Sequence, residues 1–231
     1  MLKDDLERWK LPLSSRQEEQ FEIYYDLLIR RNEVMNLTAI TEKTEVYEKH
    51  FLDSLALTQA LSFRGDESLI DLGTGAGFPG IPLKILFPDL SVVLADALLK
   101  RVGFLNEVIE ALKLEKITAV HSRAEDLGHD PAFREKSDFC VSRAVAPLNI
   151  LAEYCLPLVK TGGVFAAYKS AAAKEEAEEA NNAFMLLGGG HVEIREMTIG
   201  PSRLLRSFVL VEKSAETPAK YPRAKIKKKP L

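Results

Sequence analysis

Between residues 71 and 80 the chain reads DLGTGAGFPG, four glycines in ten positions directly behind the mostly apolar stretch SLI. Glycine serves where a backbone must turn through left-handed conformations or come very close to a neighbour or a ligand. Such a turn between a strand and a helix commits the chain around it to strand-turn-helix units. Two registers coexist in the run. Gly75, Gly77 and Gly80 stand in the G-x-G-x-x-G spacing of dinucleotide folds, and Asp71, Gly73, Gly75 and Gly77 stand in D-x-G-x-G-x-G spacing. A tight turn without a ligand accounts for one or two of these glycines, not for four.

The flanking pattern agrees with that commitment. Strands are predicted at 68–73, 91–96, 117–122, 138–143 and 162–169, separated by helical runs and a weak segment near 125–136. Strands that are apolar almost throughout and alternate with helices imply a parallel sheet covered on both faces. After an acidic helix, HVEIREMTIG and LLRSFVLVEK read as two strands close enough to pair antiparallel. Upstream, Phe21, Tyr24, Tyr25, Leu28 and Ile29 share one helix face behind a Ser-Ser-x-x-Glu start in the style of a capping box. The reading divides the chain into a helical cap (1–62), a sheet domain (63–213) and a tail (214–231), with the boundary at 63–68.

In an open parallel sheet, ligands bind outside the carboxyl ends of the strands, where the strand order reverses. The glycine turn borders that crevice. Asp96 ends the second strand about 20 residues on, where a carboxylate accepts hydrogen bonds from ribose hydroxyls. The sequence SRAED (122–126), behind the third strand, is placed for adenine contacts. Together these point to an adenosine-containing ligand. Two features favour S-adenosyl-L-methionine over NAD. Phe78 and Pro79 add bulk where a pyrophosphate needs an open helix N-terminus, and Asp71 and Asp96 suit a sulfonium better than a phosphate. The antiparallel strand pair also fits a seven-stranded methyltransferase sheet better than a sixth parallel strand.

Charge is unevenly divided along the chain. The last twelve residues hold six of the 31 bases (Lys220, Arg223, Lys225, Lys227, Lys228, Lys229) and no acid, so the preceding 219 carry 25 bases against 34 acids, a net −9. An acidic body with a basic end suits a protein that touches a polyanion at one place; a solubilising end is equally compatible. Lys100, Arg101, Arg123 and Lys169 fall near strand or helix ends on the same predicted rim, and with the tail, Arg223 included, they form a candidate footprint for such a polyanion. The N-terminus has no apolar leader and no segment approaches 18 uncharged apolar residues, so a cytoplasmic protein without a membrane span is expected. Cys140 and Cys155 lack metal-ligand spacing and read as buried reduced thiols, and no metal is expected. A monomer is expected.

Taken together, NLTAI (36–40), HFLDSL (50–55), DLGTGAGFPGIPLKI (71–85), KRVGFL (100–105), SRAED (122–126), SRAVAPL (142–148) and the terminal YPR…KKKPL resemble the RsmG (GidB) family across nearly the whole chain. The resemblance implies a class I, Rossmann-like methyltransferase with a helical cap that uses S-adenosylmethionine to methylate N7 of one guanine in the 530 loop of 16S ribosomal RNA. It implies cofactor contacts at Gly73, Phe78, Asp96, Ala124, Glu125 and Arg143, beside Asp71, Gly75 and Gly77 from the loop itself. Two departures are ADALLKR, where a Ser-Leu usually follows the acid, and YPRAKIKKKPL, where YPRKAG is usual.

Guanine N7 carries a lone pair and no proton, so its methylation needs no general base and rests on alignment. SRAVAP at the fourth strand end is neither the Asn-Pro-Pro-Tyr type of exocyclic-amine enzymes nor a Pro-Cys nucleophile. Arg143 is the expected catalytic side chain, meeting guanine O6 or a phosphate, or orienting the donor's carboxylate. His50 and Asp53 at i and i+3 either form a polar pair facing the pocket or lock the cap to the core. Asn36 and Thr38 either cap a turn or line the entrance. Three other readings stay open: a methyltransferase for another RNA site or a small molecule, an NAD-linked oxidoreductase, and a ribosome-assembly module without turnover.

Overall fold

The computed structural model describes residues 2–170, 172–224 and 230–231. Seven strands form one sheet: β1 (Ser68–Leu72), β2 (Ser91–Asp96), β3 (Ile117–His121), β4 (Ser137–Arg143), β5 (Val159–Lys169), β6 (Gly189–Ile199) and β7 (Leu204–Lys213). Their order is β3-β2-β1-β4-β5-β7-β6, with β1 to β5 parallel and β7 antiparallel to both β5 and β6. The order reverses between β1 and β4, so the glycine turn leaving β1 lies at the switch point, where a crevice opens. The predicted antiparallel pair is present, with β7 inserted between β5 and its own hairpin partner.

Helices α1 (Leu2–Arg8), α2 (Ser15–Met35), α3 (Lys43–Val46) and α4 (Asp53–Leu55) precede the sheet. Between α3 and α4 the chain makes a π-helical turn, Tyr47–Leu52, and a 3-10 turn, Ala56–Gln59, follows. These elements are not a separate unit. Leu6, Phe21, Tyr24, Leu28, Phe51 and Leu52 are buried in one apolar cluster with Leu69, Val92 and Leu94 of the sheet. The boundary at 63–68 therefore marks a change of sequence pattern and not a gap between cores. The capping box at α2 sits one residue earlier than predicted: Ser14 caps the helix and Gln17, not Glu18, closes the box. Gln17 Nε2 has a second use, donating to the carbonyls of Ile85 (2.8 Å) and Leu86 (3.1 Å), which α5 (Gly80–Leu86) leaves open at its C-terminus.

On the other face, α8 (Leu148–Cys155) and α9 (Ala173–Leu186) cover a second apolar cluster, which contains Ile70, Phe165, Val209 and both free cysteines. α6 (Leu99–Ala111) and the short α7 (Ala124–Leu127) follow β2 and β3. Among the described residues no helix is long and apolar enough to cross a membrane.

Candidate active site

The four glycines of the turn do four different things. Gly73, at φ +72°, lies under the Val145 side chain, so that a Cβ there would meet Cγ2 at 2.5 Å. Gly75, at φ +65°, faces open space. Gly77, at φ +101°, makes room for Ile81 and for the Tyr24 hydroxyl, which donates to the Ala76 carbonyl. Gly80 lets α5 start against Leu94 and Asp71, where a Cβ would come within 2.4 Å of the leucine. Of the four, only Gly75 has its Cβ direction open, while Gly73 borders the strand-end cavity beneath Val145.

Asp71 is fully buried, and its Oδ2 accepts from Thr74 Oγ1 (2.6 Å) and Gly80 N (2.7 Å), which ties both ends of the turn together. Burial pushes its carboxyl up to about 6, against the pull of those two hydrogen bonds. Its Oδ1 is buried with no hydrogen-bond partner among the described residues. Asp71 thus shapes the turn and has no place on the cavity wall.

The cavity at the strand ends, about 530 Å³, is lined by Gly73 and Asp96 on one side and Ser122 to Glu125 on another. Val145, Ala146, Pro147, Ile150 and Tyr154 close it. Asp96 reaches it from the end of β2 and holds the local backbone: Oδ2 accepts from Gly75 N (3.0 Å) and Arg101 Nη1 (3.3 Å), and Oδ1 from Leu98 N (2.9 Å). Ala124 and Glu125 stand on the wall, Glu125 Oε1 accepting from the Tyr154 hydroxyl at 3.2 Å. The Phe78 side chain does not line this cavity. Its ring is buried, stacked on Tyr24 (5.4 Å between centroids) and on His50 (4.7 Å), with the Arg143 guanidinium 5.1 Å above it.

Across the turn from Arg143 to Pro147 lies a second cavity of about 450 Å³, lined by Lys49, His50, Asp53, Arg143, Tyr168, Lys169, Glu176 and Arg206 among others. Its centre is a fully buried carboxylate between two guanidinium groups: Asp53 Oδ2 accepts from Arg143 Nη1 at 2.8 Å and Oδ1 from Arg206 Nε at 2.6 Å. Arg143 Nη1 also donates to the Lys49 carbonyl at 3.4 Å. His50 and Asp53 therefore share a helix but not a bond. His50 turns to Thr38, with Nε2 and Oγ1 2.8 Å apart, and its Nδ1 is buried with no hydrogen-bond partner among the described residues. Thr38 Oγ1 in turn accepts from Ile40 N at 3.0 Å. Asn36 is the left-handed C-cap of α2, at φ 51°, which answers half of the question left at NLTAI.

Burial, reinforced by the Arg143 charge, lowers the His50 imidazole to about 4, against the attraction of Asp53. Its ordinary value is near 6.5, so the unfolded chain binds the extra proton between those limits and stability falls as pH drops through that window. The difference in melting temperature between the native protein and His50→Gln should thus shift against the native protein between pH 7 and pH 4.5. The opposing contribution of Asp71 is common to both proteins and cancels in the comparison.

The bases of the candidate RNA footprint, to which the family resemblance adds the substrate class, face different ways. Arg123 and Lys100 are exposed, Arg123 at the mouth of the first cavity and Lys100 with Nζ 3.4 Å from the Met35 carbonyl. Arg101 is drawn to Asp96. Lys169 is turned inward, donating to Glu176 Oε2 (2.6 Å) and the Ala146 carbonyl (3.1 Å). Arg223 faces the buried carboxylate of Glu153. Lys225, Lys227, Lys228 and Lys229 lie outside the described residues. Sequence reasoning missed Arg206, because nothing in LLRSFVLVEK distinguishes it; only strand β7 brings it to Asp53.

Comparison with known proteins fits this arrangement. Residues 17–205 match the family model GidB, described as rRNA small subunit methyltransferase G. The Ribosomal RNA small subunit methyltransferase G of Lachnoclostridium phytofermentans is 53% identical over 214 residues, 93% of this chain and 88% of that protein. Its counterpart in Lactobacillus johnsonii is 46% identical over 231 residues, covering 98% and 97%. Among solved structures, a SAM-dependent O-methyltransferase of Thermotoga maritima superposes with a TM-score of 0.56 at 16% identity, over 83% of this chain and 73% of that one. P. horikoshii TYW2 in complex with MeSAdo gives 0.56 at 19%, over 72% and 62%. At those identities the structures speak for the fold alone, whereas the relatives match from end to end. A methyltransferase sheet with its glycine turn at the switch point, in a chain about half identical to these enzymes, belongs to the GidB family of small-subunit ribosomal RNA methyltransferases.

Proposed function

We propose that this protein transfers a methyl group from S-adenosylmethionine to N7 of a guanine in the 530 loop of 16S ribosomal RNA, within the small subunit or on its way there. The observation that carries the reading is the pair of cavities on the two sides of the Arg143–Pro147 turn. The first is mostly apolar and is lined by Gly73 and by an acid at its β2 end, Asp96, which holds the N–H of Gly75, a glycine beside which a Cβ would meet nothing within 4 Å. These features suit an adenosine with a sulfonium tail. In the reading, Asp96 takes the ribose hydroxyls, Ala124 and Glu125 flank the adenine, and Gly73 and Gly75 let the remainder lie on the backbone. When bound there, the donor supplies an electrophilic methyl group.

The second cavity is lined by four cationic residues, Lys49, Arg143, Lys169 and Arg206, against the carboxylates of Asp53 and Glu176, with the Lys49 amine paired to Glu45 beside it. A surplus of positive charge suits an unstacked nucleotide with its phosphates, since such contacts dominate the affinity of proteins for nucleic acid. Arg143 is the side chain proposed to meet the acceptor. Its recorded hydrogen bonds both use Nη1, to Asp53 and to the Lys49 carbonyl, while the Phe78 ring supports the guanidinium plane. The rest of the fork is then available for guanine O6 or a phosphate oxygen. N7 has no proton to give up, so the chain needs no base here; the neutral His50 imidazole helps hold the support in place. The rate enhancement comes from alignment of acceptor and donor, which can supply several kcal/mol.

The test is incubation with tritiated S-adenosylmethionine and small-subunit ribosomal RNA, free or assembled, from cells lacking the enzyme. Borohydride and aniline cleavage then maps N7-methylguanine. Cleavage at a single 530-loop guanine supports the reading, and label at another base or atom overturns it.

A further inference from the structure

We propose that residues 217–223 form a strap that sets the spacing of α7 and α8, and that Arg223 is a positioning residue for the methyl donor, acting through Glu153. The proposal rests on the assignment of the first cavity to the donor. The basic C-terminal segment invited a reading as an RNA contact, but its first part is built into the body of the protein. Tyr221 is buried in the second core cluster, which also contains Leu127 of α7 and Tyr154 of α8. His129 Nε2 and the Pro222 carbonyl are 2.7 Å apart, and a Cβ on Gly128, directly after α7, would lie 2.7 Å from the Pro222 ring. The strap and the end of α7 are thus in direct contact.

On its other side the strap grips α8. Glu153 has a fully buried carboxylate, and Arg223 satisfies it with its backbone N–H (2.7 Å to Oε1), its Nε (2.9 Å to Oε1) and its Nη2 (2.7 Å to Oε2). The next residue, Tyr154, lines the donor cavity and donates to Glu125 Oε1 on α7. Arg223, Glu153, Tyr154 and Glu125 therefore form one run of contacts from the strap to the wall at which adenine is proposed to sit. A buried carboxylate deprived of its cation draws in water or moves toward solvent. Here that movement rotates α8 beside the cavity and loosens Tyr154 from Glu125.

The strap does not depend on Arg223 for its own place. Arg134 donates to the carbonyls of Thr217 (2.6 Å), Tyr221 (2.9 Å) and Gly128 (2.7 Å), and the buried Lys213 donates to Thr217 Oγ1 (2.6 Å). Truncating Arg223 thus disturbs the grip on α8 while the segment stays anchored. This separates a role at the donor from a role in folding.

The experiment compares four proteins by titration calorimetry with S-adenosylhomocysteine and by steady-state kinetics: native, Arg223→Met, Arg223→Lys, and Glu153→Gln combined with Arg223→Met. A fifth, with Lys225, Lys227, Lys228 and Lys229 changed to glutamine, reports on RNA. For Arg223→Met the expected result is affinity for S-adenosylhomocysteine about tenfold weaker and a donor KM raised to match, with kcat at saturating donor and RNA affinity within about twofold of native. Arg223→Lys, which keeps the charge without the fork, should fall between. The double variant, which buries no unpaired charge, should regain most of the donor affinity, and it carries the test if Arg223→Met alone does not fold.

Native affinity for S-adenosylhomocysteine in Arg223→Met overturns the proposal, as does a loss of RNA affinity like that of the glutamine variant with donor affinity intact. If the native protein itself fails to bind S-adenosylhomocysteine, the donor assignment of the cavity falls, and the strap proposal with it.

Discussion

Replacing Asp53 by alanine should cost about 3–5 kcal/mol of folding stability, the usual consequence of removing one partner from a buried ion pair, and should abolish methyl transfer. The carboxylate is fully buried between Arg143 and Arg206, whose side chains are themselves only 12% and 17% exposed. Without it, two guanidinium groups face each other with their charges unmatched. Asp53→Asn keeps the shape and removes the charge, so it should fall between alanine and native. Urea unfolding gives the stability term, and a single-turnover assay at saturating donor gives the chemical one. A stability loss below about 1 kcal/mol, the range of an exposed pair, would show that water reaches the cluster and that Asp53 does not clamp it.

The same geometry accounts for a loss that extends to activity. Arg143 is held by Asp53, by the Lys49 carbonyl and by the face of Phe78, which itself stacks on His50 and Tyr24. Freeing the guanidinium returns rotamer freedom to a side chain proposed to meet the acceptor. Misplacement by about an ångström is enough to cost a large factor where catalysis is alignment.

Asp96→Ala should weaken binding of S-adenosylmethionine by about a hundredfold, the effect of losing hydrogen bonds to an ionised acceptor, while RNA affinity changes little. Two effects combine. The ribose proposed to sit at Asp96 loses its acceptor, and the N–H groups of Gly75 and Leu98 lose the oxygens that now fix them. Calorimetry with the donor and filter binding with the RNA separate the two affinities. Donor affinity within threefold of native would move the ribose away from β2 and require a different pose in the cavity.

Much of the architecture was legible because local pattern and fold agree. Near-continuous apolar runs between helical ones can be satisfied only by a covered parallel sheet, and the five strands lie within a few residues of their predicted positions. The places of Asp96, Ala124 and Glu125 at the strand ends were legible for the same reason: strand ends and the turns after them are fixed by the sheet. The glycine turn was legible as a turn, but its internal division was not. That Gly77 yields to Tyr24 and Gly80 to Leu94 follows from α2, some fifty residues upstream, and from strand β2, both packed against the loop.

Charged side chains were the least legible. Sequence marks Lys169 and Arg223 as bases near a rim or in a basic tail, which is all that composition conveys. Both turn inward to carboxylates on other elements, Glu176 and Glu153. Long side chains with many rotamers take their direction from whatever acid the tertiary fold brings within reach, and a buried acid attracts them more strongly than water does. Likewise, His50 and Asp53 stand three residues apart on one helix and have different partners, Thr38 for one and two arginines for the other.

The sequence by itself determined the order of strands and helices, the glycine turn at the first strand end, the acid at the second and the family to which the chain belongs. These depend on periodicity and spacing along the chain, which neighbours in sequence enforce. Only the tertiary structure decided which cations line a cavity and which neutralise buried carboxylates, that Asp71 builds the turn, that Phe78 supports Arg143, and that the tail begins packed against α7 and α8. Those outcomes depend on distances between residues far apart in the chain, set when strands and helices from both ends close on a common core.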